Sequence, residues 1–127
     1  MNHPIDTLAA PRPIGPYSQA VDTGTIVFCA GQIALDPKTG KLVEGGIEHE
    51  TEQIFQNLIA VLTAAGLTLA DVVKTTLFLI DLADGPKVGA IYSRHFQPPY
   101  PARSTIQVAA LPAGAKIELE AIAVRPT

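Results

Sequence analysis

The chain has 127 residues, the length of one domain, of which 47% are hydrophobic and 17% charged. A formal net charge of −3 and nine scattered Lys and Arg residues argue against a nucleic-acid-binding surface. No apolar run reaches the roughly 18 residues that a membrane span needs, and residues 1–6 lack the basic start and apolar core of a signal peptide. The single cysteine allows no internal disulfide, which favours a reducing, cytoplasmic location.

The N-terminal part predicts an arm and a turn before the first strand. Residues 1–12 are polar and contain proline, which is typical of a loosely held arm at the start of a single domain that covers residues 1–127. The stiff turn at 13–16 then brings Tyr17 to the first strand. A core or interface aromatic is the ordinary role for such a residue.

A continuous apolar strand is predicted over residues 26–30, and Gly31 ends it. Glycine at this point indicates either a packing kink or a bulge that offers a backbone N–H to a ligand carboxylate. Cys29, in the middle of the apolar run, is expected to be a buried and unreactive thiol. The turn signal at 36–40 predicts that the residues on its two sides, 33–35 and 41–43, pair with each other.

Two helices and a long strand follow. Apolar residues at helical spacing predict a helix over 47–65, whose run of glutamates from Glu48 to Glu52 is expected to form a solvated face. An apolar strand is predicted over 72–82. Proline at the first helical position predicts a second, shorter helix over 86–96.

The last quarter of the chain predicts a β-hairpin, formed by 100–108 and 116–124 across a Pro- and Gly-bearing turn. Arg103 opens its first strand, and Glu118 and Glu120 interrupt the second. Ionised groups in an apolar strand are costly to bury unless each finds a partner or a ligand. A solvated face with an arginine at its rim and a buried polar site both fit this pattern.

The predicted element order is β, β, β, α, β, α, β, β, which indicates an α+β fold with one mixed sheet and two helices on one face. The strands at 26–30, 72–82 and 117–124 carry apolar residues on both faces. The face without helices therefore also needs cover, and other copies of the same chain are the simplest way to provide it.

Several other chemistries lack the residues they would need. His3, His49 and His95 are far apart and have no ligand spacing, so no metal is expected. The chain has no glycine-rich phosphate loop and no serine in a nucleophile elbow. A set of arginine, glutamate and tyrosine remains, with no cofactor motif.

Short motifs along most of the chain carry a family resemblance. They are IGPYSQA at 14–20, AGQI at 30–33, DPKTG at 36–40, VKTT at 73–76 and PARS at 101–104, followed by Leu111-Pro112 and Ile117-Glu118. In this order they resemble the RidA family (YjgF/YER057c/UK114) of small enamine/imine deaminases. The resemblance implies a chorismate-mutase-like fold and a homotrimer with clefts between neighbouring subunits. It also implies hydrolysis of 2-imino or enamine acids, such as 2-aminoacrylate and 2-iminobutyrate, to 2-keto acids and ammonia.

The resemblance also implies roles for individual residues. Arg103 would hold the substrate carboxylate in a bidentate fashion, Glu118 would activate water and transfer protons, and Tyr17 would close the cleft. The backbone amides of Gly31 and Thr105 would bind the substrate.

Two positions depart from the family pattern. Thr105 replaces a frequent cysteine and removes any thiol chemistry there, and Ala30 replaces a frequent serine. Glu118 is preferred to Glu120 because it holds the signature position, a choice that spacing alone does not make.

Two other classes of function stay open at this point. A sensor that binds a small 2-keto acid or amino acid in the same cleft would need Arg103 but not Glu118. A ribonuclease, translation-inhibitor or chaperone role, as described for some relatives, agrees poorly with the negative charge and the lack of a basic–aromatic patch.

Overall fold

The computed structural model describes residues 2–127, which form one six-stranded sheet and two helices. The strands are β1 His3–Ile5, β2 Ala20–Asp22, β3 Ile26–Gln32, β4 Val72–Leu79, β5 Ala102–Gln107 and β6 Ile117–Val124, and the helices are α1 Gly46–Ala64 and α2 Gly85–His95. The sheet order is β1-β2-β3-β6-β4-β5, in which only β4 and β5 are parallel. The predicted α+β fold with a single mixed sheet is confirmed.

Both helices pack on one face of this sheet. The core joins alternate residues of β3, β4 and β6 to the apolar stripe of α1 and the inner side of α2; among its members are Val27, Leu77, Leu79, Leu119, Ala121, Ile54, Leu58, Leu62, Val88 and Ile91. We call this the helix face and the opposite side the outer face. Of residues 2–127, neither helix has the length and apolar character to cross a membrane.

The glutamate run at the start of α1 is not uniformly solvated. Glu48 is exposed, but Glu50 is only 2% exposed because it shares the inward stripe with Ile47 and Ile54. Its carboxylate accepts a hydrogen bond of 2.8 Å from the backbone N–H of Lys116. Burial raises the pKa of Glu50, and the N–H bond partly opposes that rise.

The predicted hairpin between the last two strands is wrong. β4 lies between β5 and β6, parallel to the first and antiparallel to the second. All six residues of β5 are exposed, which suits a sheet edge, whereas β6 buries alternate apolar residues and lies between two neighbours. The polar strand therefore takes the edge and the apolar strand the centre, although they are adjacent in sequence.

The N-terminal arm is attached more firmly than its composition predicts. β1 pairs with β2, and the side chain of Gln19 donates to the carbonyl oxygens of Pro11 at 2.8 Å and Thr7 at 3.0 Å. The segments on the two sides of the 36–40 turn pair as predicted, through the bridge of Leu35 with Leu42 and the hydrogen bond of 2.9 Å from the N–H of Val43 to the carbonyl oxygen of Ala34, although they form no longer strand. The strand β4 ends before its predicted limit because Asp81 caps a short 3₁₀ turn.

Candidate active site

Arg103 lies on the edge strand β5, on the helix face. It is in register with the buried Thr75 of β4, which points toward the helices. Its guanidinium carbon is 4.8 Å from the ring centroid of Tyr92 on α2. Beside it is an open depression of about 530 Å³, lined by Gly89, Tyr92, Ser93, Tyr100, Pro101 and Arg103.

In the described part of the chain, the guanidinium of Arg103 has no carboxylate partner. Arg12, Arg94 and Arg125 pair with Asp6, Glu52 and Asp22 respectively, and within residues 2–127 Arg103 is the one arginine without such a pair. Thr105 follows two residues later on the same side of the strand, and it is also exposed. The edge of the sheet thus presents a cation and free backbone groups to whatever approaches it.

Glu118 lies on the outer face, in register with Phe78 of β4. It is partly buried, and burial is the main cause of a raised pKa; repulsion from Glu120 on the same face adds to it. A carboxyl group with a raised pKa is suited to proton transfer closer to neutral pH.

Gly31 lies directly against this carboxyl group. The pairing of β3 with β6 shifts register between Cys29 and Gln32, an irregularity that fits either prediction for Gly31, a bulge or a packing kink. A Cβ at Gly31 would overlap Oε2 of Glu118 and come within 3.0 Å of its Cγ, so a side chain at position 31 would displace the carboxyl group from the position it occupies here.

Tyr17 is also on the outer face and is half exposed. Its hydroxyl oxygen accepts a hydrogen bond of 3.3 Å from the backbone N–H of Ile14. It lines a depression of about 360 Å³ together with Ala30, Glu120 and Ile122, and it also borders the hollow at Gly31. In the single chain Tyr17 is therefore not a core aromatic.

The five predicted site residues divide into two groups in one chain. Tyr17, Gly31 and Glu118 are on the outer face, whereas Arg103 and Thr105 are on the helix face at the edge. Because β4 lies between β5 and β6, the backbones of these two strands are about 9–10 Å apart. The side chains of Arg103 and Glu118 point to opposite sides of the sheet. The predicted hairpin puts Arg103 and Glu118 on neighbouring strands, which the structure does not.

Tyr92 and Thr75 are the site neighbours that sequence reasoning did not assign to the site. Tyr92 falls within the helix predicted over 86–96, and Thr75 falls within the strand predicted over 72–82 and the VKTT motif, but the sequence gives neither a role in the site. No local pattern in the sequence could have assigned them to the site, because their nearness to Arg103 depends on the order of the strands. Only the parallel pairing of β4 with β5 brings both next to Arg103.

Other reactive groups are structural. Cys29 is buried as predicted, and burial raises the pKa of its thiol to about 11. His95 stacks on Phe55 at 4.4 Å and approaches Glu52 at 3.3 Å. Across residues 2–127, no three or more His, Cys, Asp or Glu side chains gather in a way that could hold a metal ion.

Comparison with known proteins places this geometry in a family. The family model described as Endoribonuclease L-PSP matches residues 7–125. The chain belongs to this family, which is the YjgF/RidA family. Membership covers almost the whole fold and agrees with the motif resemblance in the sequence.

Individual relatives support the same placement. A mouse protein named 2-iminobutanoate/2-iminopropanoate deaminase is 49% identical over 95% of this chain and 90% of its own length. A crystal structure of a Rid-family protein of unknown function from Yersinia pestis has 44% identity and a TM-score of 0.95, covering 98% of this chain and 100% of that one. The structure of E. coli TdcF with bound serine has 41% identity and a TM-score of 0.92, covering 98% of this chain and 99% of the other.

Proposed function

We propose that this member of the RidA family hydrolyses reactive 2-imino and enamine acids to 2-keto acids and ammonia. The names of curated relatives at 45–49% identity support this activity. The main support from this chain is that it has both an arginine with no carboxylate partner among residues 2–127, Arg103, and a carboxyl group of raised pKa, Glu118. Imine hydrolysis needs one anion-binding group and one group that transfers protons.

The proposed site lies between two copies of the chain. Arg103 and Glu118 are on opposite faces within one chain, so a second copy must bring the other group to complete the site. The surfaces for this contact are available: β5 is an exposed edge strand, and the outer face carries exposed Phe28 and Val124. In a homotrimer with three such clefts, as the family resemblance implies, the Arg103 and the Glu118 of every chain would each be part of a complete cleft.

In this cleft Arg103 binds the substrate carboxylate. A guanidinium presents two parallel N–H donors that fix both the position and the plane of a carboxylate. The backbone N–H groups of Thr105 and of the neighbour's Gly31 complete the anion site. The imine carbon, next to the carboxylate, is thereby directed toward Glu118 and Tyr17 of the neighbouring copy.

The reaction then requires only water and proton transfer. Glu118 accepts a proton as water adds to the iminium carbon, which gives a carbinolamine with a neutral amino group. The carboxyl group returns this proton to the amino nitrogen. As the C–N bond breaks, the carboxylate takes the proton of the hydroxyl group, so that ammonia leaves and the 2-keto acid forms. Iminium carbons are already electrophilic, so positioning and one acid/base group account for the chemistry.

The family description also names an endoribonuclease, and this chain offers little support for that activity. Its net charge is −3, and three of its four arginines are engaged with carboxylates. Ribonucleic acid binding normally depends on unpaired cations along a groove. We therefore favour a small carboxylate as ligand, and a cytoplasmic location where such imines arise.

The test is to generate 2-aminoacrylate or 2-iminobutyrate in place with a serine/threonine dehydratase and follow the appearance of keto acid. Wild-type protein should accelerate hydrolysis, and a chelator should not change the rate. Arg103→Ala should abolish the acceleration, and Arg103→Lys should be impaired because a point charge loses the bidentate orientation. Full activity of Arg103→Ala would refute the proposed anion site. No acceleration by wild type, with binding of keto acids intact, would favour a sensor.

A further inference from the structure

One aromatic ring holds the guanidinium of Arg103 in the single chain. The ring belongs to Tyr92 on α2, and Cζ of Arg103 is 4.8 Å from its centroid, within the range of a cation–π contact. A cation–π contact depends on the charge of the guanidinium and forms no conventional hydrogen bond, and a guanidinium has five N–H donors. The contact therefore restrains the arginine and leaves N–H donors for a carboxylate.

The ring itself is fixed from several directions. Tyr92 is 4% exposed, and its hydroxyl shares a hydrogen bond of 2.8 Å with Oγ1 of Thr75, which is fully buried. Phe96 packs against the ring at 4.7 Å and Phe55 contacts it edge-on at 5.9 Å. Thr75 is in register with Arg103 on the neighbouring strand, so the same backbone pairing sets both ends of the contact.

We propose that Tyr92, anchored by Thr75, is a positioning residue that orients the guanidinium of Arg103 for the carboxylate of a 2-imino acid. This inference rests on the proposed function, because it assigns Arg103 to the anion site. Arginine on an exposed edge strand otherwise has many rotamers, and freezing them on binding weakens affinity. A preformed platform removes part of that loss.

The platform predicts a specific pattern of effects. Tyr92→Leu removes the ring face and should weaken the binding of 2-oxobutyrate, a stable keto acid, on the order of 5- to 30-fold. The KM for imine hydrolysis should rise by a similar factor. Tyr92→Phe keeps the ring and loses only the hydroxyl, so it should restore most of the affinity, with a loss of no more than about threefold.

Thr75→Val tests the anchor, since it removes the hydroxyl that holds the ring. Its loss of affinity should resemble that of Tyr92→Phe, and the double variant should be no worse than either single one, because both remove the same hydrogen bond. Losses that add would contradict the proposed anchoring.

A matched control separates positioning from packing. Phe96→Leu makes the same aromatic-to-leucine change in the same cluster but leaves the ring under Arg103 in place. It should lower the melting temperature while changing keto-acid affinity less than about twofold to threefold. Circular dichroism and the mass of the assembly check that each variant is folded. If Phe96→Leu weakens binding as much as Tyr92→Leu, or if Tyr92→Leu binds like wild type, the inference is wrong.

Failure of the proposed reaction can be recognised separately. If wild type binds 2-oxobutyrate but does not hydrolyse imines, the reaction is refuted while the affinity series still decides the role of Tyr92. If wild type binds no keto acid, Arg103 is not an anion site and the positioning role is refuted with it.

Discussion

At the scale of single residues, Glu118 and Gly31 depend on each other. The carboxyl group occupies the space that a side chain at position 31 would fill, and its raised pKa comes from that partial burial and from Glu120. The glycine of the motif at 30–33 thus leaves the space that the carboxyl group of Glu118 occupies. The chemistry proposed for Glu118 leads to two predictions.

Glu118→Gln keeps the shape of the side chain but cannot accept a proton. We expect turnover to fall by about 10²- to 10⁴-fold while 2-keto acid binding stays close to wild type. Glu120→Gln is the matched control on the same strand and face, and it should retain most of the turnover. Normal turnover of Glu118→Gln, measured by keto-acid release, would assign the base to another group.

The pH dependence provides a second measurement. Because Glu118 must be ionised to act as a base, kcat/KM should fall as the pH drops through its raised pKa, which is above the ordinary 4.5. Glu120→Gln removes the repulsion and lowers that pKa, so the acidic limb should move to lower pH. A limb that does not move would show that another group controls it.

At the scale of elements, Arg125 connects three parts of the fold. From the end of β6 its guanidinium donates to Asp22 of β2 and to the carbonyl oxygen of Ala65 after α1, both at 2.6 Å. The bond from Arg125, followed by the N–H of Gly24, lowers the pKa of Asp22 below its ordinary 3.8. The ion pair therefore stabilises the fold above pH 3.8, and the stabilisation is lost as the pH falls through the folded-state pKa.

Asp22→Asn should lower the melting temperature by a few degrees at neutral pH, and the difference from wild type should shrink toward pH 3. The control is Asp6→Asn, which breaks the more exposed pair with Arg12 and should have little effect. Melting curves of the three proteins between pH 7 and pH 3 check this. A difference for Asp22→Asn that is constant with pH would contradict the linkage.

The elements also show how far the sequence predicts this fold. Periodicity locates α1, and the proline at position 86 locates α2, within a residue at each end, because both signals are local. Strand order is not local, and so β5 and β6 were paired although β4 separates them. The burial of Glu50 was missed because its partner, the N–H of Lys116, is distant in sequence.

The candidate site was predictable in its members but not in its arrangement. The motif resemblance selects Arg103 and Glu118. Strand alternation shows which residues of one strand share a face, but it does not show that Arg103 and Glu118 lie on opposite faces of the sheet, because that also depends on the order of the strands. Tyr92 and Thr75 follow from that order as well, since they contact Arg103 only through the β4–β5 pairing.

At the scale of the whole molecule, the outer face and the edge strand are incomplete in one chain. Phe28 is 47% exposed at the centre of the outer face, among apolar neighbours such as Ile122. We predict an assembly of about three chains in solution at micromolar concentration, measured by light scattering or sedimentation. A mass near that of one 13.4 kDa chain would contradict the shared cleft.

Charge on the outer face should disrupt this assembly. Phe28→Glu would bury a carboxylate in the contact, so the measured mass should fall toward that of a single chain. Ile59→Glu is the matched control, because Ile59 is exposed on α1, on the other side of the molecule. A similar loss of assembly in both variants would indicate general destabilisation instead of a specific interface.

Mixing two inactive variants tests the shared site most directly. Arg103→Ala and Glu118→Gln chains, carrying different tags, would be co-expressed and the mixed assemblies purified through both tags. If one subunit supplies Arg103 and its neighbour Glu118, every mixed trimer holds one cleft in about three with both native residues, and about a third of wild-type imine hydrolysis should return. If both residues act from the same chain, every cleft keeps one defect, and mixed assemblies as inactive as either parent would contradict the account.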